Sequence, residues 1–158
     1  MATIMATAAP VLALGARALS GGVLLAAGGA KARGGTSRFL QNVLAYDLLP
    51  PAAARGLARA LPPVEMGLGA CLLLGLGTRP AAVGGLMVLG GVSGAVATAL
   101  WRGLTIPCGC FGPRERVAPL RWAILGRNLA LMLALGGVYA EGGRVLALDR
   151  VLAGAGGA

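Results

Sequence analysis

Four apolar runs, each close to the length of a membrane crossing, constrain this chain more than any other feature. They are Val11 to Ala30 (VLALGARALSGGVLLAAGGA), Leu61 to Gly77 (LPPVEMGLGACLLLGLG), Pro80 to Trp101 (PAAVGGLMVLGGVSGAVATALW) and Pro119 to Ala140 (PLRWAILGRNLALMLALGGVYA). A helix rises about 1.5 Å per residue, so about 20 apolar residues cross a hydrocarbon core roughly 30 Å thick. In lipid every backbone amide must be paired within the protein, which leaves helices or closed barrels, and long runs without strict alternation dictate helices. The expected fold is therefore all-α: an integral membrane four-helix bundle, a single domain over residues 1–158.

The connections refine this expectation. The first run continues past Arg17 and lacks a basic leader, so it reads as a retained transmembrane helix rather than a cleaved signal. In the second, Pro62 and Pro63 open the span, where a missing N–H costs least. Between these spans, Phe39, Leu40, Val43, Leu44 and Leu48 recur at helical spacing, which predicts an amphipathic surface helix over Ser37 to Leu49. Trp101, Trp122 and Tyr139 fall near span ends, where interfacial aromatics belong. Gly90, Gly94 and Thr98 follow the small-xxx-small spacing that lets helices approach closely in lipid. The last residues, 151–158, read as a flexible tail.

With 14 basic and 5 acidic residues the net charge is +9. The arginines are scattered among apolar runs with few aromatics, which argues against a nucleic-acid face. At 57% hydrophobic residues and a mean hydropathy of +0.81, the partner implied by composition is the lipid bilayer. Four spans put both termini and Arg79 on one side. The other side carries most of the basic residues, among them Lys31, Arg33, Arg38, Arg55, Arg59 and Arg102, together with the loop of residues 102–118. The positive-inside rule assigns that side to the cytoplasm; disulfide chemistry assigns it to an oxidising exterior.

That loop contains the sequence PCGCFG, with Cys108 and Cys110 one residue apart. Glycine between them and proline before them permit a turn tight enough for a strained disulfide, and strained, exposed disulfides are the labile or catalytic ones. Nearby Arg114, Arg116 and Arg121 and the start of the last helix favour thiolate, the attacking species. Two other readings stay open: a static staple, and a soft-metal site for Cu(I) or Hg(II). The lack of histidine and the position of Cys71 deep in the second span argue against a four-ligand zinc site, and Cys71 reads as a packing residue.

Ionisable groups inside a span are costly and are functional candidates. Glu65 and Arg127 lie on the order of 6 and 12 Å inside the face that carries the cysteine loop, counted along their helices. They are expected either to neutralise each other or, with Asn128, to line a polar cavity that binds a quinone carbonyl or relays protons. Arg17 is expected to snorkel towards the opposite face.

Taken together, AYDLLP, LPPVE, CGCFG and the W-x4-RN-x2-L pattern from Trp122 to Leu131 closely resemble the methylamine utilisation protein MauE family, within the DoxX-like redox-associated membrane proteins. The resemblance runs from about Ala27 to Leu135. It implies a four-helix membrane bundle similar in layout to vitamin K epoxide reductase, and a thiol-disulfide oxidoreductase or redox accessory, possible quinone linkage included. The client it implies is a protein such as the methylamine dehydrogenase small subunit. By position it carries over Cys108 and Cys110 as the redox pair, and Glu65, Arg127, Asn128 and Tyr46 as candidate cofactor-binding residues, with Pro50 also matching. A thioredoxin-fold partner is expected as a separate chain, and the second redox pair of vitamin K epoxide reductase-like enzymes has no counterpart. The expected location is the bacterial inner membrane, with the cysteine loop facing the periplasm or exterior. A metal-handling protein and a non-catalytic membrane assembly factor are the competing functions.

Overall fold

A computed structural model describes residues 2–104 and 121–141, with side chains over 11–104 and 122–140. Within them the chain forms five helices: α1 (Ala2–Gly34), α2 (Thr36–Ala45), α3 (Pro51–Leu74), α4 (Thr78–Trp101) and α5 (Arg121–Glu141). Four carry apolar segments of membrane length, Val11–Gly34, Pro51–Leu74, Thr78–Trp101 and Trp122–Ala140. The protein is thus a multi-pass helical membrane bundle. Cys108, Cys110 and the tail over 151–158 lie outside the described residues.

The spans form a ring in which α1 packs on α3 and α5, and α4 packs on the same two helices. As a result α3 and α5 occupy opposite corners. At the centre Leu24, Leu72, Ala82, Leu89, Leu131 and Leu135 are buried, while Leu12, Met87 and Leu133 point outward and are exposed. Large apolar side chains on the outside are what lipid tolerates and water does not. Trp101 and Trp122 are exposed where α4 ends and α5 begins, and Tyr139 is exposed at the far end of α5, as interfacial anchoring requires.

The closest helix contact joins α1 and α3. Buried residues recur every three or four positions on each: Arg17, Ser20, Gly21, Leu24, Ala27, Gly28 and Lys31 on α1, and Ala54, Ala58, Pro62, Glu65, Gly69 and Leu72 on α3. A Cβ placed on Gly69 would stand 2.7 Å from the Gly21 carbonyl oxygen, and one on Gly28 would stand 2.7 Å from that of Pro62. The backbones touch, and only glycine fits. The expected small-residue contact at Gly90, Gly94 and Thr98 is not where the bundle closes. Nothing lies within 4 Å of a Cβ on Gly94, and Thr98 is exposed, its hydroxyl donating to the Gly94 and Ala95 carbonyls of its own helix. Small-xxx-small spacing identifies a thin face without saying which way it points.

Several boundaries differ from the sequence expectation: α1 runs on to Gly34 rather than ending at Ala30, and α3 ends at Leu74 rather than Gly77. The second crossing helix starts at Pro51, not Leu61: Pro51 supplies the first-turn proline, while Pro62 and Pro63 sit inside a continuous helix. Interior prolines are tolerated in membrane helices because neighbours and local adjustment satisfy the released carbonyls. The surface helix ends at Ala45, not Leu49. Asp47 takes a positive φ of 51°, and Pro50 disfavours helical geometry at Leu49. Since α1 stops at Gly34, the first turns of α3 extend beyond it and α2 packs against them. The end of α1, α2, the start of α3, the end of α4 and the start of α5 share one membrane face, here the loop face.

Candidate functional site

Helix α1 carries Lys31 in its last turn, where the C-terminal dipole favours a cation. Its Nζ donates to both carboxylate oxygens of Glu65, at 2.8 Å and 2.7 Å, and both side chains are only 3% exposed. Gly28 makes this possible. It brings α1 against α3 at the Glu65 turn, where a Cβ on Gly28 would lie 3.0 Å from the Cβ of Glu65. The ammonium also lies 5.6 Å from the centroid of the Phe39 ring, within cation–π range. Phe39 reaches it because Gly35, with φ 85°, breaks the helix between α1 and α2. The pair is neutral as a unit, desolvated, and roofed by α2.

A second polar cluster joins α4 and α5. Asn128 is fully buried, and its Nδ2 donates to Ser93 Oγ at 3.1 Å. Ser93 in turn donates to the Leu89 carbonyl at 2.6 Å. The half-buried Arg127 donates to Asn128 Oδ1 from Nε at 3.4 Å and from Nη2 at 3.2 Å. Counted along α5 from Arg121, this cluster sits about 10 Å inside the loop face. Its N–H donors are of the kind that hold a carbonyl oxygen; here they are engaged on Asn128 Oδ1 and Ser93 Oγ.

The predicted residues are therefore not one constellation. Glu65 pairs with Lys31 rather than with Arg127, because α1 adjoins α3 whereas α5 stands at the diagonal corner. Tyr46 caps α2, where its carbonyl accepts a hydrogen bond from Arg102 Nη1 at 3.0 Å. Arg102 Nη2 also lies 3.5 Å from Asp47 Oδ2. This contact fixes the end of α4, the last turn before the segment containing Cys108 and Cys110, to the end of α2. Arg17 does not snorkel; it is 6% exposed, because it begins the same inward stripe as Leu24 and Lys31. Cys71 is partly buried against the hydrophobic core. It lies about 9 Å along α3 from Glu65, towards the face opposite the loop face.

Lys31 is the functional candidate the sequence reading missed, having been counted as a loop charge. A signal was present: Arg17, Leu24 and Lys31 are spaced by seven, as are Gly21 and Gly28, which places all five on one side of a continued helix.

Residues 9–140 match the family described as Methylamine utilisation protein MauE. The chain is 35% identical over 106 residues to the Methylamine utilization protein MauE of Paracoccus versutus, an overlap of 65% of this chain and 55% of that protein. The chain thus matches about half the length of that curated relative. No solved structure matches it.

Proposed function

The chain belongs to the methylamine utilisation protein MauE family, and from that premise we propose that it is a membrane accessory of methylamine utilisation that works by thiol-disulfide exchange. In this reading Cys108 and Cys110 cycle between dithiol and disulfide. When the pair closes, each thiol gives up a proton, one S–S bond forms, and two electrons leave. When a reduced client is oxidised, the client's two thiolates attack in turn through a mixed disulfide and the pair returns to the dithiol. The client is a secreted, disulfide-bearing protein such as the methylamine dehydrogenase small subunit, reached directly or through a thioredoxin-fold partner.

The observation that supports this reading is the polarity of the loop-face half of the bundle. Beneath the face where α4 ends and α5 begins stand the Lys31–Glu65 pair and the Arg127–Asn128–Ser93 cluster. A membrane quinone is the class of acceptor that takes up two electrons and two protons. Arg127 and Asn128 are the residues that would hold its carbonyl oxygen; Lys31 and Glu65 keep a charge pair available without a net field in the bilayer.

Reduction and reoxidation of the pair, followed in detergent against a thioredoxin-fold reductant, tests the proposal. Exchange is expected in the parent and absent in the Cys108→Ser, Cys110→Ser double variant; a pair inert to such reductants refutes it. The loop face is assigned to the periplasm, since exchange with a secreted client requires it, although the exposed arginines there favour the cytoplasm. Labelling intact cells with a membrane-impermeant thiol reagent decides: labelling before lysis supports the assignment, and protection until lysis reverses it.

A further inference from the structure

Helix α2 and the projecting turns of α3 build a surface that the redox reading does not use. Arg33 ends α1, Arg38 lies on α2, and Arg55 and Arg59 are one turn apart on α3; all four are exposed. Because α2 packs on α3 and touches α1, the three helix segments that carry them adjoin at this membrane face. Asp47 is the one exposed carboxylate on this face among the described residues, and it is engaged by Arg102 at 3.5 Å. On the opposite face Arg79 is the exposed base among the described residues.

On the same membrane face Leu44, in α2, and Leu48, after it, are 39% and 45% exposed. This surface lies where α1 ends and α3 begins at the membrane face, so lipid headgroups are the anions already beside it. An anionic phospholipid satisfies both, its phosphate on the guanidinium groups and its acyl chains on the leucines, since an interfacial helix lies at the boundary between headgroups and chains. We infer that the α2–α3 surface is a binding site for anionic phospholipid headgroups. The inference stands independently of the cysteine chemistry.

The test uses the full-length protein purified in neutral detergent, with retained lipid read by native mass spectrometry and affinity read from the shift in unfolding midpoint on titration. Phosphatidylglycerol is the probe, and phosphatidylcholine and free glycerol phosphate are the comparison arms. Phosphatidylglycerol is expected to be retained and to raise the midpoint, phosphatidylcholine to do so weakly, and glycerol phosphate, lacking acyl chains, not at all. Each arginine near an anionic surface changes affinity on the order of fivefold, so Arg55→Gln with Arg59→Gln is expected to weaken phosphatidylglycerol binding by about 25-fold. Arg79→Gln, roughly 30 Å away across the bilayer and beyond a Debye length, is expected to leave it unchanged. Equal retention of the two phospholipids, or a preference that survives the double substitution, overturns the inference and returns these arginines to an acidic protein partner. A midpoint shift from glycerol phosphate equal to that from phosphatidylglycerol also overturns it, since the site would then read phosphate alone.

Discussion

Removing one member of the Lys31–Glu65 pair should cost far more than removing both. At the observed separations of 2.7 and 2.8 Å, an effective dielectric of about 20 gives roughly 6 kcal/mol of gross attraction. Desolvation of two ions, several kcal/mol each, offsets most of it, so the intact pair adds little net stability over apolar side chains of similar volume. The single variants differ in kind. Lys31→Met leaves a carboxylate, and Glu65→Leu an ammonium, in a site where only 3% of either side chain reaches solvent, and such orphaned charges cost about 3–5 kcal/mol. The double variant is expected within about 1 kcal/mol of the parent, a coupling of several kcal/mol. Reversible unfolding by sodium dodecyl sulfate from mild detergent, followed by helicity, measures all four proteins. A Lys31–Glu65 coupling below about 1 kcal/mol would refute the reasoning, this being the size found for exposed pairs. So would a larger coupling in the Glu65–Arg127 cycle, because it would restore the pairing across the diagonal.

Four further outcomes follow from the same geometry. Gly69→Ala, forced against the Gly21 carbonyl and the Leu25 amide at 2.7 Å, should destabilise by about 1–3 kcal/mol in that unfolding assay. Gly94→Ala, with open space around it, should be neutral or stabilising by up to about 1 kcal/mol, since alanine is the better helix former. Asn128→Ala should lower stability by about 1–3 kcal/mol, since it leaves a void and removes an acceptor of Arg127; Ser93→Ala, which loses the bonds to Asn128 and to the Leu89 carbonyl but keeps that acceptor and leaves a smaller void, should cost less. Arg102→Gln should change stability by less than about 1 kcal/mol, its ion pair with Asp47 being largely solvent-exposed.

The spans were legible in the sequence because hydropathy over about 20 residues is a local property, and the interfacial tryptophans marked their ends. The amphipathic helix was equally legible from the spacing of Phe39, Val43 and Leu44, apart from its final turn, which Asp47 cuts short. What escaped depended on order around the ring. Nothing in a linear chain says that α3 and α5 are diagonal, so Glu65 and Arg127, both at suitable depth, looked like partners. Lys31 looked like a loop charge because a lysine beyond an apolar run ordinarily faces water, and only its heptad relation to Arg17 and Leu24 hinted otherwise. The prolines misled for a related reason: Pro62 and Pro63 are strong stop signals in water, yet α3 runs through both.

The glycine seam between α1 and α3 also imposes a rule on chain length. Along the two antiparallel helices Gly21 meets Gly69, and Gly28 meets the Pro62–Met66 turn that also holds Glu65, the partner of Lys31, much as the teeth of a ratchet engage. A substitution at any one of these positions perturbs a single tooth and has a graded effect. Inserting or deleting one residue between Gly21 and Gly28 instead turns everything beyond it by about 100° and shifts it by about 1.5 Å. That one step would swing Lys31 off Glu65, present side chains where glycine is required, and strip Phe39 of the cation it covers. In this stretch of α1 the count of residues is therefore held more tightly than the identity of most of them, whereas the connection from Asp47 to Pro50 can lengthen at little cost.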